Sequence, residues 1–168
     1  TNIDIAATNM LELVNDLLDV AKIEAGKFDL NIQEYDLSDV ISQEIQTFTP
    51  QAEGKHLTLN FITPGVTKVK FDKIRIGQVL GNLLSNAIKY TDSGQIDVNL
   101  NVDSSKNEVV IAIKDTGLGV SREDLAVLFS KFKQLKTFDR SRKGTGLGLV
   151  FSRGIIEAHK GRIWAESA

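Results

Sequence analysis

The 168-residue sequence has no cysteine, two prolines, one methionine and one tryptophan. Without cysteine there is no disulfide framework, zinc finger, thiolate nucleophile or iron–sulfur cluster, and any metal is expected to be a hard one held by oxygen ligands. Neither sign of charge dominates. The 20 Lys plus Arg and 22 Asp plus Glu leave a net charge of −2, which argues against the basic face that nucleic acid or an acidic membrane requires. No apolar run approaches the roughly 20 residues of a bilayer span, and the start lacks the charged end and apolar core of a secretory signal. A water-soluble piece is expected, with neither nucleic-acid nor membrane contact of its own. It begins without Met inside a helical pattern, so it reads as part of a longer protein that has room for a membrane anchor elsewhere.

What is present starts with a helix. Ile3, Ala6, Met10, Leu13, Leu17 and Val20 alternate spacings of three and four, the seam of a helix packed along another. Ala7, Leu11, Val14, Leu18 and Ala21 form a second stripe beside it, widening the apolar face toward that of a four-helix bundle. Packing on the following domain is the alternative. Gly26 is the expected helix stop, dividing residues 1–26 from 27–168.

Beyond it, the alternation in residues 28–35 predicts a strand, and Asp36 or Ser38 is placed to cap a helix through about Ala52. Strands are predicted at 57–62 and 67–71, a helix at 72–90, and a hairpin of Gln95–Val102 with Glu108–Lys114 around Asp103-Ser104-Ser105-Lys106-Asn107. Helical pattern returns at 121–130 and 146–159, and Arg162–Glu166 reads as a last strand. This mixture predicts an α+β fold, a two-layer α/β sandwich with one mixed sheet covered on one face by helices.

Three clusters carry chemistry. Asn82 and Asn86, four apart, share a helix face, with Lys89 nearly in line. An amide oxygen suits Mg²⁺ and an ammonium suits phosphate, although a polar rim on a buried helix gives the same pattern. Asp115-Thr116-Gly117-Leu118-Gly119 follows a strand end. There a carboxylate can accept from an exocyclic amine while glycines let backbone approach a flat ring, and an ordinary Asp-Gly turn is the alternative. Gly144-Thr145-Gly146-Leu147-Gly148-Leu149 leads into a helix, where free N–H groups and the positive dipole end favour phosphate oxygens. It is neither a Walker A loop, lacking the Lys-Ser or Lys-Thr pair, nor a Rossmann fingerprint, lacking the preceding strand and the ribose-binding acid.

In this order the clusters resemble the N, G1 and G2 boxes of the ATP-binding catalytic domain of sensor histidine kinases, the Bergerat-fold superfamily shared with gyrase, the Hsp90 chaperones and MutL. Phe129-Ser130-Lys131-Phe132 resembles the F box, and Leu17-Leu18-Asp19-Val20-Ala21-Lys22-Ile23-Glu24-Ala25-Gly26 resembles the end of the second helix of the dimerisation and phosphoacceptor hairpin. The resemblance implies ATP and Mg²⁺ as cofactors, with Asn86 the metal ligand, Asn82 beside it and Lys89 on phosphate. It implies that Tyr90 packs on adenine, that Asp115 accepts the adenine amino hydrogen, and that Gly117 and Gly119 shape the pocket. Gly144, Thr145, Gly146, Leu147 and Gly148 would border the triphosphate. Phe129 and Phe132 would anchor a mobile lid spanning about Ser121–Lys143, whose cations Lys131, Lys133, Lys136, Arg140, Arg142 and Lys143 are mostly solvated, with one or two reaching the γ-phosphate. Gln134 follows the F box where relatives place a phosphate-contacting residue.

The ATPase branch of the superfamily carries a water-activating Glu four residues before the metal-binding Asn. Here that position is Asn82, an amide that takes no proton at neutral pH, so hydrolysis is expected to be slow. The family's nucleophile is a histidine on the first hairpin helix. The only histidines, His56 before a strand and His159 at a helix end, lie off any bundle helix, so the chain is expected to bind ATP without phosphorylating itself. The resemblance further implies a cytoplasmic location and three partners: a histidine-bearing hairpin of the same protein, a second protomer in a homodimer, and a response regulator receiver domain. A superfamily ATPase and a nucleotide-free scaffold are the alternatives.

Overall fold

The computed structural model describes residues 14, 18, 21–22, 28–130 and 146–167. Most of the N-terminal stripe, Phe132, Gln134, the lid cations, Gly144 and Thr145 lie outside the described residues. Val14, Leu18, Ala21 and Lys22 are helical and exposed. The chain forms two compact units, residues 31–119 and a second that includes Val120–Ser167 and the segment up to Leu30.

In the 31–119 unit, β1 (Gln33–Asp36) leads into α1 (Leu37–Glu53), followed by β2 (Leu57–Ile62), β3 (Lys68–Phe71), α2 (Lys73–Tyr90), β4 (Gly94–Asp103) and β5 (Glu108–Asp115). These bounds match the predicted elements to within a residue or two except for β1, which starts later. Its partner sets that limit: β1 pairs only with β3, antiparallel, from Gln33 opposite Phe71 to Asp36 opposite Lys68. The ribbon stands apart from the main sheet, in which β4 is central, parallel to β2 and antiparallel to β5. That sheet is mixed, as expected.

Period-two alternation gives β4 its two faces. Ile96, Val98 and Leu100 are fully buried, each contributing about 1.5–3 kcal/mol of burial. Opposite them the face is polar, and Asp97 accepts from Asn60 and Gln95, each at 2.8 Å. These bonds, Asn60's first, hold the Asp97 carboxyl below its ordinary pKa. The apolar face packs on α1 and α2 through Ala52, Leu57, Ala87, Ile88 and Ile96, with Phe48, Leu59 and Ile113 around them. The helices approach closely because Gly77 and Gly81 of α2 leave a groove filled by the Glu44 carboxylate and the Phe48 ring of α1. Desolvation there raises the pKa of Glu44.

Side chains set the helix starts. Asp36 caps α1 by accepting from Ser38 N–H at 3.0 Å and also takes Thr67 N–H at 2.9 Å, tying the start of α1 to the β2–β3 connection. The Thr67 bond leads in lowering the Asp36 pKa. Buried Asp72 caps α2 through Arg75 N–H at 3.1 Å and accepts from Asn31 N–H at 2.9 Å.

The second unit contains α3 (Arg122–Leu125) and α4 (Gly148–Ala158). The predicted helix at 121–130 is shorter than its pattern, since after Leu125 the bonds from Val127, Leu128 and Ser130 reach back three residues and wind the chain into turns. Arg162–Glu166 is not a strand. The alternating side chains Arg162, Trp164 and Glu166 meet one another, with the guanidinium 5.3 Å from the Trp164 ring and Trp164 Nε1–H bonded to Glu166 at 3.0 Å. No backbone ladder accompanies them among the described residues, and a strand needs one.

Candidate functional site

Asn82, Asn86 and Lys89 recur at spacings of four and three along α2 and, with Tyr90, are half-buried. The Asn86 amide donates back toward Asn82 Oδ1 at a long 3.5 Å, which leaves the Asn86 carbonyl oxygen as the atom for a cation. Lys89 Nζ stands 5.4 Å from the Tyr90 ring centroid and has no carboxylate partner among the described residues. Desolvation lowers its pKa from the ordinary 10.5.

The end of α2 is closed by a residue absent from the sequence expectations. Lys55 Nζ donates to the carbonyls of Ile88 and Thr91, both at 2.7 Å, and reaches that of Lys89 at 3.4 Å. Lys55 sits in the turn between α1 and β2, where the N–H groups of Gly54, Lys55 and His56 bond to Pro50, Ala52 and Glu53 and His56 takes a left-handed φ of 58°. These partners are 33–36 residues apart, so no local pattern signals the contact. Thr91 bonds its N–H to Ala87 O at 3.1 Å, while its fully buried hydroxyl has no partner among the described residues.

β5 delivers Asp115 to the same end of the sheet. Its Oδ1 accepts from Gly117 N–H at 2.9 Å, fixing the carboxylate and leaving Oδ2 without a bond among the described residues. Thr116 pins the turn to β4: its hydroxyl accepts from Gln95 N–H and donates to Ser93 O, both at 3.1 Å. A Cβ on Gly94, whose φ is 106°, would fall 2.3 Å from that hydroxyl oxygen, so only glycine fits. At Gly117 a Cβ would lie 2.6 Å from Tyr90 O and 2.7 Å from Asp115 Oδ1. The loop after β5 therefore touches the end of α2, bringing Asp115 and Gly117 beside Tyr90 on the helix that also carries Asn82, Asn86 and Lys89. Gly119, at φ 69°, ends this loop.

The second unit holds the described part of the third cluster. Gly146 has φ 72°, and Leu147 is buried at the N-cap of α4 without a side-chain cap bond. Gly148 begins α4, and a helix start whose N-cap residue makes no side-chain cap bond is an arrangement that suits an anion. Phe129 is half-buried. His159 ends α4 with Nδ1 2.8 Å from Ile155 O, capping that carbonyl, and His56 lies in a turn.

Residues 71–168 match the model of the histidine kinase-, DNA gyrase B- and HSP90-like ATPase family. The chain is 36% identical over 171 residues to the sensor protein GacS of Pseudomonas syringae pv. syringae, covering 98% of this chain and 19% of that protein. It spans about a fifth or less of the length of such curated relatives. Among solved structures, the histidine kinase AdeS of Acinetobacter baumannii matches with a TM-score of 0.75 and 29% identity, over 90% of this chain and 68% of that one. Full-length ShkA in complex with AMPPNP matches with a TM-score of 0.79 and 25% identity, over 94% of this chain and 34% of that one. The chain belongs to the histidine kinase-, DNA gyrase B- and HSP90-like ATPase family, as an ATP-binding catalytic domain of the two-component sensor histidine kinase type.

Proposed function

We propose that this domain holds Mg·ATP with adenine at Asp115 and the phosphates along Asn82, Asn86 and Lys89, and transfers the γ-phosphate to a histidine on a hairpin of the same protein. The observation that carries this reading is the contact between Gly117 and Tyr90 O, which joins an acceptor for an exocyclic amine to a face bearing an amide oxygen and an ammonium that has no carboxylate partner among the described residues. Asp115 Oδ2 selects an amino-bearing base, and Gly117 and Gly119 admit its flat ring. Tyr90 supplies the aromatic surface beside it. The resemblance to sensor kinases assigns the border of the triphosphate to Gly144, Thr145, Gly146, Leu147 and Gly148 and the anchoring of a lid to Phe129 and Phe132.

The donor set suits Mg²⁺. No group of three or more His, Asp or Glu side chains among the described residues forms a protein cage, and Mg²⁺ takes few protein ligands when phosphates and water complete its octahedron. Asn86 Oδ1 would hold it. When bound, the ion would neutralise charge on the transferring phosphoryl group. Lys89 positions the phosphates and balances their charge, and Asn82 orients the Asn86 amide. Because Asn82 takes no proton, water at the γ-phosphate is left without a base and transfer to an imidazole is favoured over hydrolysis.

In this reading residues 1–26 form the second helix of the dimerisation hairpin and residues 27–168 the catalytic domain. The intact protein works in the cytoplasm as a homodimer and passes its phosphoryl group to a receiver domain. The test is a calorimetric titration with AMPPNP, with and without Mg²⁺, on the native chain and on Asp115→Asn. Mg²⁺-dependent binding weakened about tenfold or more by the substitution is expected, one charged hydrogen bond being worth about 1.5–3 kcal/mol. A histidine-bearing hairpin from the same protein should then become an acid-labile phosphoprotein, and no transfer at saturating ATP refutes the kinase reading.

A further inference from the structure

The phosphates in the proposed site lie at the electrostatically wrong end of a helix. Anions are favoured at helix N-termini and disfavoured at C-termini, where unpaired carbonyls gather about half a negative charge. Yet Asn86 and Lys89 stand in the last two turns of α2, which ends at Tyr90. Lys89 is the only basic residue in its last turn.

Lys55 stands at that pole. Its ammonium bonds to the carbonyls of Ile88 and Thr91 and approaches that of Lys89, so its donors are spent on the helix end while its unit charge remains. It is half-buried, where a charge is screened less than on the open surface. Ile88, fully buried in the core beneath the sheet, prevents the helix end from shifting to relieve a lost bond.

We infer that Lys55 is a positioning residue for the polyphosphate: by cancelling the negative pole of α2 and fixing its last carbonyls, it lets the face bearing Asn86 and Lys89 accept an anion. The inference rests on the nucleotide reading and adds a residue outside the three clusters. It makes a prediction that fold maintenance alone does not, because an electrostatic role scales with the charge of the ligand.

The experiment titrates the full chain with adenosine, ADP and AMPPNP in the presence of Mg²⁺, comparing the native sequence with Lys55→Met, Lys55→Gln and Lys55→Arg. Thermal melting of each variant is followed in parallel. Lys55→Met is expected to weaken AMPPNP about tenfold and ADP about threefold while changing adenosine less than twofold, in keeping with a helix-pole charge interaction in a partly buried setting. Lys55→Arg restores AMPPNP binding by restoring the charge. Lys55→Gln, which keeps a donor without the charge, behaves as Lys55→Met and stands in for it if that variant does not fold. Equal losses for all three ligands, or unchanged AMPPNP affinity in both neutral variants, overturn the inference and leave the nucleotide reading intact. A native chain that binds none of the three overturns both.

Discussion

Gly117→Ala tests the joint between the two halves of the site. The added Cβ would fall 2.6 Å from Tyr90 O and 2.7 Å from Asp115 Oδ1, whereas a carbon resting on a carbonyl oxygen needs about 3.3 Å. The loop must therefore move by about 0.7 Å, away from a backbone carbonyl that cannot swing aside. Two costs follow. Overpacking of this kind destabilises by about 1–3 kcal/mol. The 2.9 Å bond from Gly117 N–H that orients Asp115 is strained or lost, and a misaligned carboxylate would forfeit much of the roughly 1.5–3 kcal/mol of its proposed charged hydrogen bond to the base. The expected result is a ten- to hundredfold weaker AMPPNP affinity by calorimetry, about 1.4 kcal/mol per decade, in protein whose circular dichroism shows it still folded. Gly65→Ala is the control. Its Cβ meets nothing within 4 Å, but φ is +104°, so it should lose about 1–3 kcal/mol of stability to backbone strain with no change in affinity. A Gly117→Ala chain that binds within twofold of native refutes the claim that this contact holds the site together.

Lys89 predicts a pH dependence. Burial lowers its pKa from the ordinary 10.5 in the free protein, and phosphate bound at the proposed site would raise it again. Between the two values binding must take up a proton, so affinity falls as pH rises, beginning below the ordinary lysine range. Lys89→Arg, charged throughout, should flatten the profile, and an identical slope in both proteins would remove Lys89 from the phosphate site. Asp72→Ala removes the cap of α2 at Arg75 N–H and the acceptor for Asn31 N–H. It should lower the urea midpoint by the equivalent of about 1–2 kcal/mol with an unchanged slope, and an unchanged midpoint would show the cap to be dispensable.

Much of this protein is legible along its chain. The alternation of Ile96, Val98 and Leu100, the helical spacing of Ile76, Val79, Leu80, Leu84, Ala87 and Ile88, and Asp36 at the start of α1 specify their elements because burial and capping are decided within a few residues. The chemistry-bearing clusters are local as well: amides four apart share a face wherever that helix lies. Pattern alone could not say where pairing stops. Arg162–Glu166 alternates like a strand and has no ladder, and the 121–130 pattern winds into turns after Leu125, since ladders and helix ends depend on what packs beside them. Only tertiary structure brought Lys55 to the end of α2, Thr116 against Gly94, and Gly117 against Tyr90. Each joins groups more than twenty residues apart in sequence. Sequence thus determined which groups this domain offers to a nucleotide. The packing of α2 and β5 over one core decided that Gly117 and Asp115 meet the end of α2, because a site is a set of distances and the core fixes them.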